Sequence, residues 1–437
     1  MRTRWISLLV AVAVLMGTRA SQAGSIDYLS NQSADFIRTL ARNAATDSAD
    51  AAFYNPAGTA FLRDGLYLNL NTQHILKYYS IFYNGEVYKA NTPTPILPTL
   101  FAVWKWKNLA LFGSFTVPAG GGTLEYGGGL PYLIPLAALV PDRDGTTPMK
   151  GKFEGSSMYM APTIGASYKV FDIISFSAAA RLIMATKAFK GEAFYSSDDK
   201  RAALDATKKA MGVGGIFGIH IRPVKMFDIG IRYETETTLN FETTGGLTGA
   251  DGSPSTTENI ITAAGTVLQS YAHGWKEKRN LPAMIGLGVA CHIGDAITAH
   301  VNMNYYFISQ ADEPDLPGST GDITVGYNDA YNNGVELSAA LEVRFAKFLL
   351  ASVGYNRSFL GGSHKTYNDF EYGLSSNAWA GGVKITLMDR LDLNAGMTVT
   401  SFEKGENESL FGALGLSGET FRKTAVTFAF GAQYRLF

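Results

Sequence analysis

From Leu66 onward the chain alternates apolar and polar residues with a period of two, and few folds can absorb so much of that pattern. Ile297, Ala299, Val301, Met303 and Tyr305 are apolar, while Thr298, His300, Asn302 and Asn304 between them are polar. The same split separates Val335, Leu337, Ala339 and Leu341 from Glu336, Ser338 and Glu342, and Leu391, Leu393, Ala395 and Met397 from Asp392, Asn394 and Gly396. Each run is a strand with one greasy and one polar face. Such strands are expected near 65–83, 98–106, 109–118, 153–169, 173–195, 211–222, 226–243, 275–292, 296–310, 333–345, 348–359, 378–387, 391–403 and 422–436, fourteen in all.

The joints between them sort by length. Lys107-Asn108, Gly294-Asp295 and Ala346-Lys347 are tight, whereas 119–152, 196–210, 244–274, 311–332, 360–377 and 404–421 are long, and the two kinds alternate. A sandwich of two sheets has no reason to sort its loops in this way. A transmembrane barrel does, with short turns on the periplasmic side, long loops outside and an even strand number. Outside the first residues no apolar stretch reaches the roughly 20 residues of a membrane helix. The expected fold is therefore all-β, a 14-stranded antiparallel transmembrane β-barrel. Trp104, Trp106, Tyr159, Trp275, Tyr305 and Trp379, near strand ends, suit its interfacial girdles.

The chain ahead of the strands divides in two. Residues 1–23 read as an export signal: Arg2 and Arg4, an apolar run from Ile6 to Met16, then Ser21-Gln22-Ala23, with cleavage after Ala20 as a competitor. Residues 24–64 remain for a plug, because a barrel this wide has a lumen that its own side chains do not fill. A short helix is expected within Ser30–Ala45, with Phe36, Ile37 and Leu40 on one face packing into a core. Residues 65–437 form the barrel.

Catalytic and metal chemistry find little support. The six histidines are scattered, the single cysteine is Cys291, and no metal site, cofactor or enzyme activity is expected. The formal net charge is −1, before any loss of Arg2, Arg4 and Arg19 with a leader, which excludes a nucleic-acid-binding balance. Glycines within strands, as in Gly212–Gly215 and Gly286–Gly288, are better suited to thinning a wall than to cradling phosphate.

Asn55-Pro56-Ala57-Gly58 reads locally as a turn, with Pro56 fixing its own φ, Asn55 biased away from the α region and Gly58 open to conformations that a Cβ resists. Preceded by Ala49-Asp50-Ala51-Ala52 and followed by fourteen strands, this motif resembles the FadL family of outer-membrane long-chain fatty-acid and hydrocarbon transporters. Ser114-Phe115-Thr116-Val117-Pro118 with Gly120-Gly121-Gly122 resembles that family's third strand.

The resemblance implies a hatch inside the lumen containing Asn55, Pro56, Ala57 and Gly58. It implies a kink in strand 3 at Pro118, Gly120, Gly121 and Gly122 that opens the wall sideways, and passive transport with first capture at outer loops. The greasy loop carrying Leu130, Tyr132, Leu133, Ile134, Leu136 and Leu139 is the capture candidate, with packing on the barrel rim as the alternative. For a substrate carboxylate, Arg181 and Lys187 face inward by parity and Lys190 lies near the strand end. Arg232, Arg344 and Lys384 also point inward, where Asp228, Glu234, Glu336 and Glu342 can pair with them. The partners implied are a long-chain fatty acid or hydrocarbon, outer-membrane lipid and the barrel-assembly machinery, with a monomer in the outer membrane of a Gram-negative-type bacterium. A general diffusion porin and a structural or adhesive surface barrel are the competing readings.

Overall fold

The computed structural model describes residues 28–131, 149–195, 201–248, 271–311, 316–317, 324–325, 331–364, 366–367, 369, 372–406 and 418–437. The expected signal segment, the outer-loop residues Tyr132, Leu133, Ile134, Leu136 and Leu139, and most of the other long joints lie outside these.

Fourteen antiparallel strands close on themselves. They are β1 (Gly65–Tyr83), β2 (Thr94–Trp106), β3 (Leu109–Tyr126), β4 (Met149–Phe171), β5 (Ile174–Tyr195), β6 (Arg201–Val224) and β7 (Phe227–Glu234, continuing as Asn240–Thr248). Then follow β8 (Lys276–Lys278 and Met284–Ile293), β9 (Ile297–Tyr306), β10 (Gly334–Ala346), β11 (Leu349–Phe359), β12 (Ser376–Leu387), β13 (Leu391–Phe402) and β14 (Thr420–Arg435). Each strand pairs with its sequence neighbours, and the barrel is sealed where β14 pairs with β1 from Tyr67↔Arg435 to Phe82↔Thr420. Closure removes the sheet's two terminal edges, the condition for strands to cross lipid.

Several strands run longer than the periodicity shows. β6 begins ten residues earlier, at Arg201, because Leu204, Ala206, Lys208 and Ala210 still point inward although the residues between them are not uniformly apolar. Asn84 and Gly85, both at positive φ, turn the end of β1 into a short return strand, Glu86–Ala90, that the alternation does not reveal.

The alternation becomes a wall with two solvents. Outward residues form an exposed apolar belt that includes Leu70, Ile96, Ile164, Phe176, Val213, Val353, Trp379 and Phe430. Inward residues of β1 are Asn69, Asn71, Gln73 and Lys77, all buried. Trp104, Trp106 and Trp379 lie on the exposed face, but Tyr159 does not: its odd-numbered position on β4 turns it into the lumen, against Phe241. Arg344 is exposed, since β10 bulges between Arg344 and Ala346 as it enters the turn.

Residues 28–62 fill the turn-side half of the lumen. α1 (Ala34–Thr39) lies within Ser30–Ala45, capped by Ser33, whose hydroxyl accepts from Phe36 N at 3.0 Å, and closed by Leu40 in the left-handed region. A short α2 (Ala51–Tyr54) leads into a 3-10 helix over Pro56–Phe61, with Pro56 at its first position.

Candidate functional site

The hatch is held by charge and by missing side chains. Arg42 donates to Asp50 at 2.6 Å and lies 2.8 Å from Asp47, and Lys384 of β12 donates to Asp47 at 2.9 Å. Arg38 joins Asp35 of its own helix to Glu342 of β10, while Glu342 also meets His300 Nε2 at 2.9 Å. Burial pushes the Asp35 carboxyl upward, but Arg38, Lys384 and Arg42 overcome it and hold the carboxyl below the usual carboxylate range.

Around this cluster the wall presents glycines where hatch backbone passes. A Cβ on Gly230 would stand 1.9 Å from Asn43 O, one on Gly354 2.0 Å from Thr39 O, and one on Gly382 2.6 Å from Arg38 Cβ. These contacts fix the hatch at a separation that no larger residue permits.

In the Asn55–Gly58 segment, Asn55 Nδ2 donates to Ala45 O at 3.0 Å and Ser175 of β5 donates to Ala57 O at 2.7 Å. Thr59 and Ser167 of β4 share a hydrogen bond of 2.7 Å. Gly58 is not in the left-handed region. A Cβ there would lie 2.3 Å from both Ala45 O and Asn55 Nδ2, so space, and not backbone freedom, requires the glycine.

Outward of the hatch lies a cavity of about 390 Å³. Its floor includes Phe36, Ile37 and Leu40, which pack into the hatch core and also present surface to the cavity. Tyr79, Tyr126, Phe153, Phe189, Tyr372 and Phe402 wall it, and a 2.8 Å hydrogen bond between the Tyr126 and Tyr372 hydroxyls ties two of these rings together. Leu130 is buried in the adjoining aromatic cluster rather than displayed to solvent.

Of the sequence-derived cations, Lys187 lines the cavity, with its ammonium 5.9 Å from the Tyr159 and Phe241 ring centres. Arg181 points inward but is engaged by buried Glu234. Lys190 is exposed, because the parity that turns Arg181 and Lys187 inward turns an even-numbered neighbour outward. Arg232 also meets Glu234, and donates to the hatch at Phe53 O.

Two lysines that sequence reading missed face the same cavity. Lys423 of β14 donates to Tyr372 O, and its ammonium lies 3.9, 5.3 and 5.7 Å from the ring centres of Tyr372, Tyr79 and Phe402. Lys77 of β1 donates to Gly121 O at 3.0 Å and to Thr123 O. Parity could have found both, since Lys77 follows Asn69, Asn71 and Gln73 at odd positions and Lys423 alternates with the outward set Val426, Phe428 and Phe430.

The carbonyls held by Lys77 belong to an interruption in the wall. β3 pairs with β2 only from Leu109↔Trp106 to Phe115↔Leu100, leaving Thr94–Thr99 paired to β1 alone. Against β4 its register shifts twice, between Thr116 and Ala119 and between Ala119 and Gly122. Gly120 and Gly122 have φ of 103° and 66°, and residues 116–120 are all buried, so the strand bends inward. Its freed groups are met from inside: Leu29 N donates to Pro118 O at 2.6 Å, while the Gln32 side chain donates to Val117 O and accepts from Val117 N, both at 2.8 Å. Hatch, cavity and interrupted strand are thus contiguous.

Among the described residues, the chain is a closed fourteen-strand barrel with a plug below and a cavity walled by aromatic rings above. It resembles solved structures at low sequence identity. A Pseudomonas aeruginosa FadL homologue aligns with a TM-score of 0.70 at 16% identity, over 94% of this chain and all of that one (100%). The P. putida toluene transporter TodX aligns at 0.66 and 13%, over 91% and 98%, and the Ralstonia pickettii toluene transporter TbuX at 0.59 and 14%, over 90% and 95%. No family model and no curated protein matches the sequence. The chain has the fold of FadL-type outer-membrane barrels.

Proposed function

We propose that the protein passes long apolar or amphipathic small molecules across the outer membrane without energy input, from outer-loop capture into the aromatic cavity and then sideways through the interrupted third strand. The carrying observation is the contiguity of that cavity with Gly120–Gly122, which line it. A greasy solute leaving sideways avoids the water of the periplasm, and the protein side chains at the interruption supply partners for backbone groups that lipid would leave unsatisfied at several kcal/mol each. The fold it shares with two toluene transporters and a FadL homologue supports this reading.

The cations give the path an amphipathic character. Lys77 and Lys423 are bonded to backbone carbonyls and rings, contacts that an anionic headgroup can displace. A long-chain carboxylic acid is therefore the favoured substrate over a neutral hydrocarbon.

The test is uptake of a radiolabelled long-chain acid and a long-chain alkane by cells that depend on this protein, beside ion conductance of the purified barrel in planar bilayers. Saturable uptake with little steady conductance is expected. Large, ohmic conductance without such uptake would establish a diffusion porin. Binding to cells that is lost on loop deletion, with no uptake of either probe, would establish an adhesive barrel.

A further inference from the structure

We infer that His220 is a positioning residue that ties the hatch turn to the wall only while its imidazole is neutral. The reading goes beyond transport of any one substrate. It rests on the hydrogen atoms available to Asn55.

The Asn55 amide nitrogen has two, and both are committed: one to Ala45 O at 3.0 Å within the hatch and one to His220 Nδ1 at 2.9 Å on β6. Nδ1 is therefore an acceptor, and the ring proton sits on Nε2, which donates to Asp228 Oδ1 at 2.8 Å. Turning the amide over would set Asn55 Oδ1 against Ala45 O, two acceptors face to face. Asn55, His220 and Asp228 are fully buried.

Asp228 anchors the other side. It accepts from Arg222 Nε at 2.6 Å, and its second oxygen meets His292 Nε2 at 2.8 Å. Among the described residues, the charged and titratable wall groups around His220 are Asp228, Arg222 and His292, with Lys169 5.6 Å from the ring centre of Phe61 and Asp172 3.7 Å from Lys169. The hatch side, among the described residues, brings Asn55, Thr46 and the Phe61 ring, 4.7 Å from that of His220.

Asp228 and Asn55 make opposite demands on the ring. A second proton strengthens the bond to Asp228 and places an N–H against the Asn55 amide nitrogen. Protonation therefore keeps the wall contact and breaks this one tie to the hatch turn, where Asn55 must abandon either His220 or Ala45. The latch loosens as the pH falls.

The test is leak conductance of the full-length barrel in planar bilayers between about pH 8 and about pH 5, where histidines ordinarily titrate. A reversible, several-fold rise on acidification is expected for the wild-type protein. His220→Gln keeps an acceptor for Asn55 and a donor for Asp228 but cannot titrate in this range, so its leak should not depend on pH; His292→Gln should retain the rise. Heat-modifiable gel mobility reports that each barrel is folded. A flat wild-type profile, or a rise in His220→Gln equal to wild type, overturns the assignment. If His220→Gln does not fold, Asn55→Ala decides: a high leak at both pH values supports the latch, and a wild-type rise with acidification overturns it. Since leak is read without substrate, failure here and failure of the transport reading are separate results.

Discussion

The two halves of the lumen are built on opposite plans. Below, Arg38, Arg42, Asp35, Asp50 and Glu342 are buried and paired, and wall glycines meet hatch backbone at distances that leave no play. Above, aromatic rings surround a cavity, and Lys77 and Lys423 hold carbonyls and rings. Breaking a buried ion pair costs several kcal/mol because the orphaned charge has nowhere to go. Exchanging a carbonyl or ring for another ligand of an ammonium costs far less. The lower half is suited to keeping one arrangement, and the upper half to changing guests.

Arg42→Met should show the contrast most strongly. It strands the Asp50 carboxylate among buried groups, at about 3–5 kcal/mol. Limited proteolysis should then cut the hatch while the barrel keeps its heat-modifiable mobility. A hatch as protected as in the wild type would remove the distinction between the halves.

Replacing Gly120, Gly121 and Gly122 together with Val acts on the wall instead. Gly120 and Gly122 occupy left-handed backbone, worth about 1–3 kcal/mol of strain each for a residue with a Cβ. The strain favours regular pairing, and uptake of a long-chain acid should fall roughly tenfold, equal to about 1.4 kcal/mol on the barrier. Normal uptake by the inserted triple variant would end the sideways route.

Lys77→Met should be milder. It leaves Gly121 O and Thr123 O without their donor, at a net cost of about 0.5–1.5 kcal/mol for each hydrogen bond. Hydrogen exchange across residues 120–126 should quicken with little change in overall stability. Unchanged exchange there would mean that the hatch contacts of Gln32 and Leu29 alone hold the bend.

Lys423→Met should have the smallest effect on the fold, since each ring contact contributes about 0.5–2 kcal/mol. It sharpens the substrate question: uptake of a long-chain acid should drop a few-fold while that of an alkane is retained. Equal losses for both would assign Lys423 to packing.

Much of the architecture was legible because parity is a local property. Fourteen runs of period two, sorted joints and the Pro118/Gly120–Gly122 coincidence are each readable within a short window. The same parity showed that Arg181, Lys187 and Lys384 face inward, yet it could not show what they face. Lys384 meets Asp47 and Glu342 meets Arg38 across sequence separations of 337 and 304 residues, set by barrel closure and not by neighbouring residues. The reason for Gly58 was hidden likewise, since the carbonyl it makes room for belongs to Ala45.

The seat of the hatch also fixes an order of events. Ala49 N donates to Gln433, and the Asn394 side chain donates to Asp35, pairs separated by 384 and 359 residues. Contacts of such span are the slowest kind to form, because the whole intervening chain must be arranged before either end benefits. These hatch contacts require β13 and β14 to be in place. Until the final residues join β1, the protein is a wall around an unfinished floor. Without β14 the hatch lacks the Gln433 contact of its seat and the barrel lacks its seam.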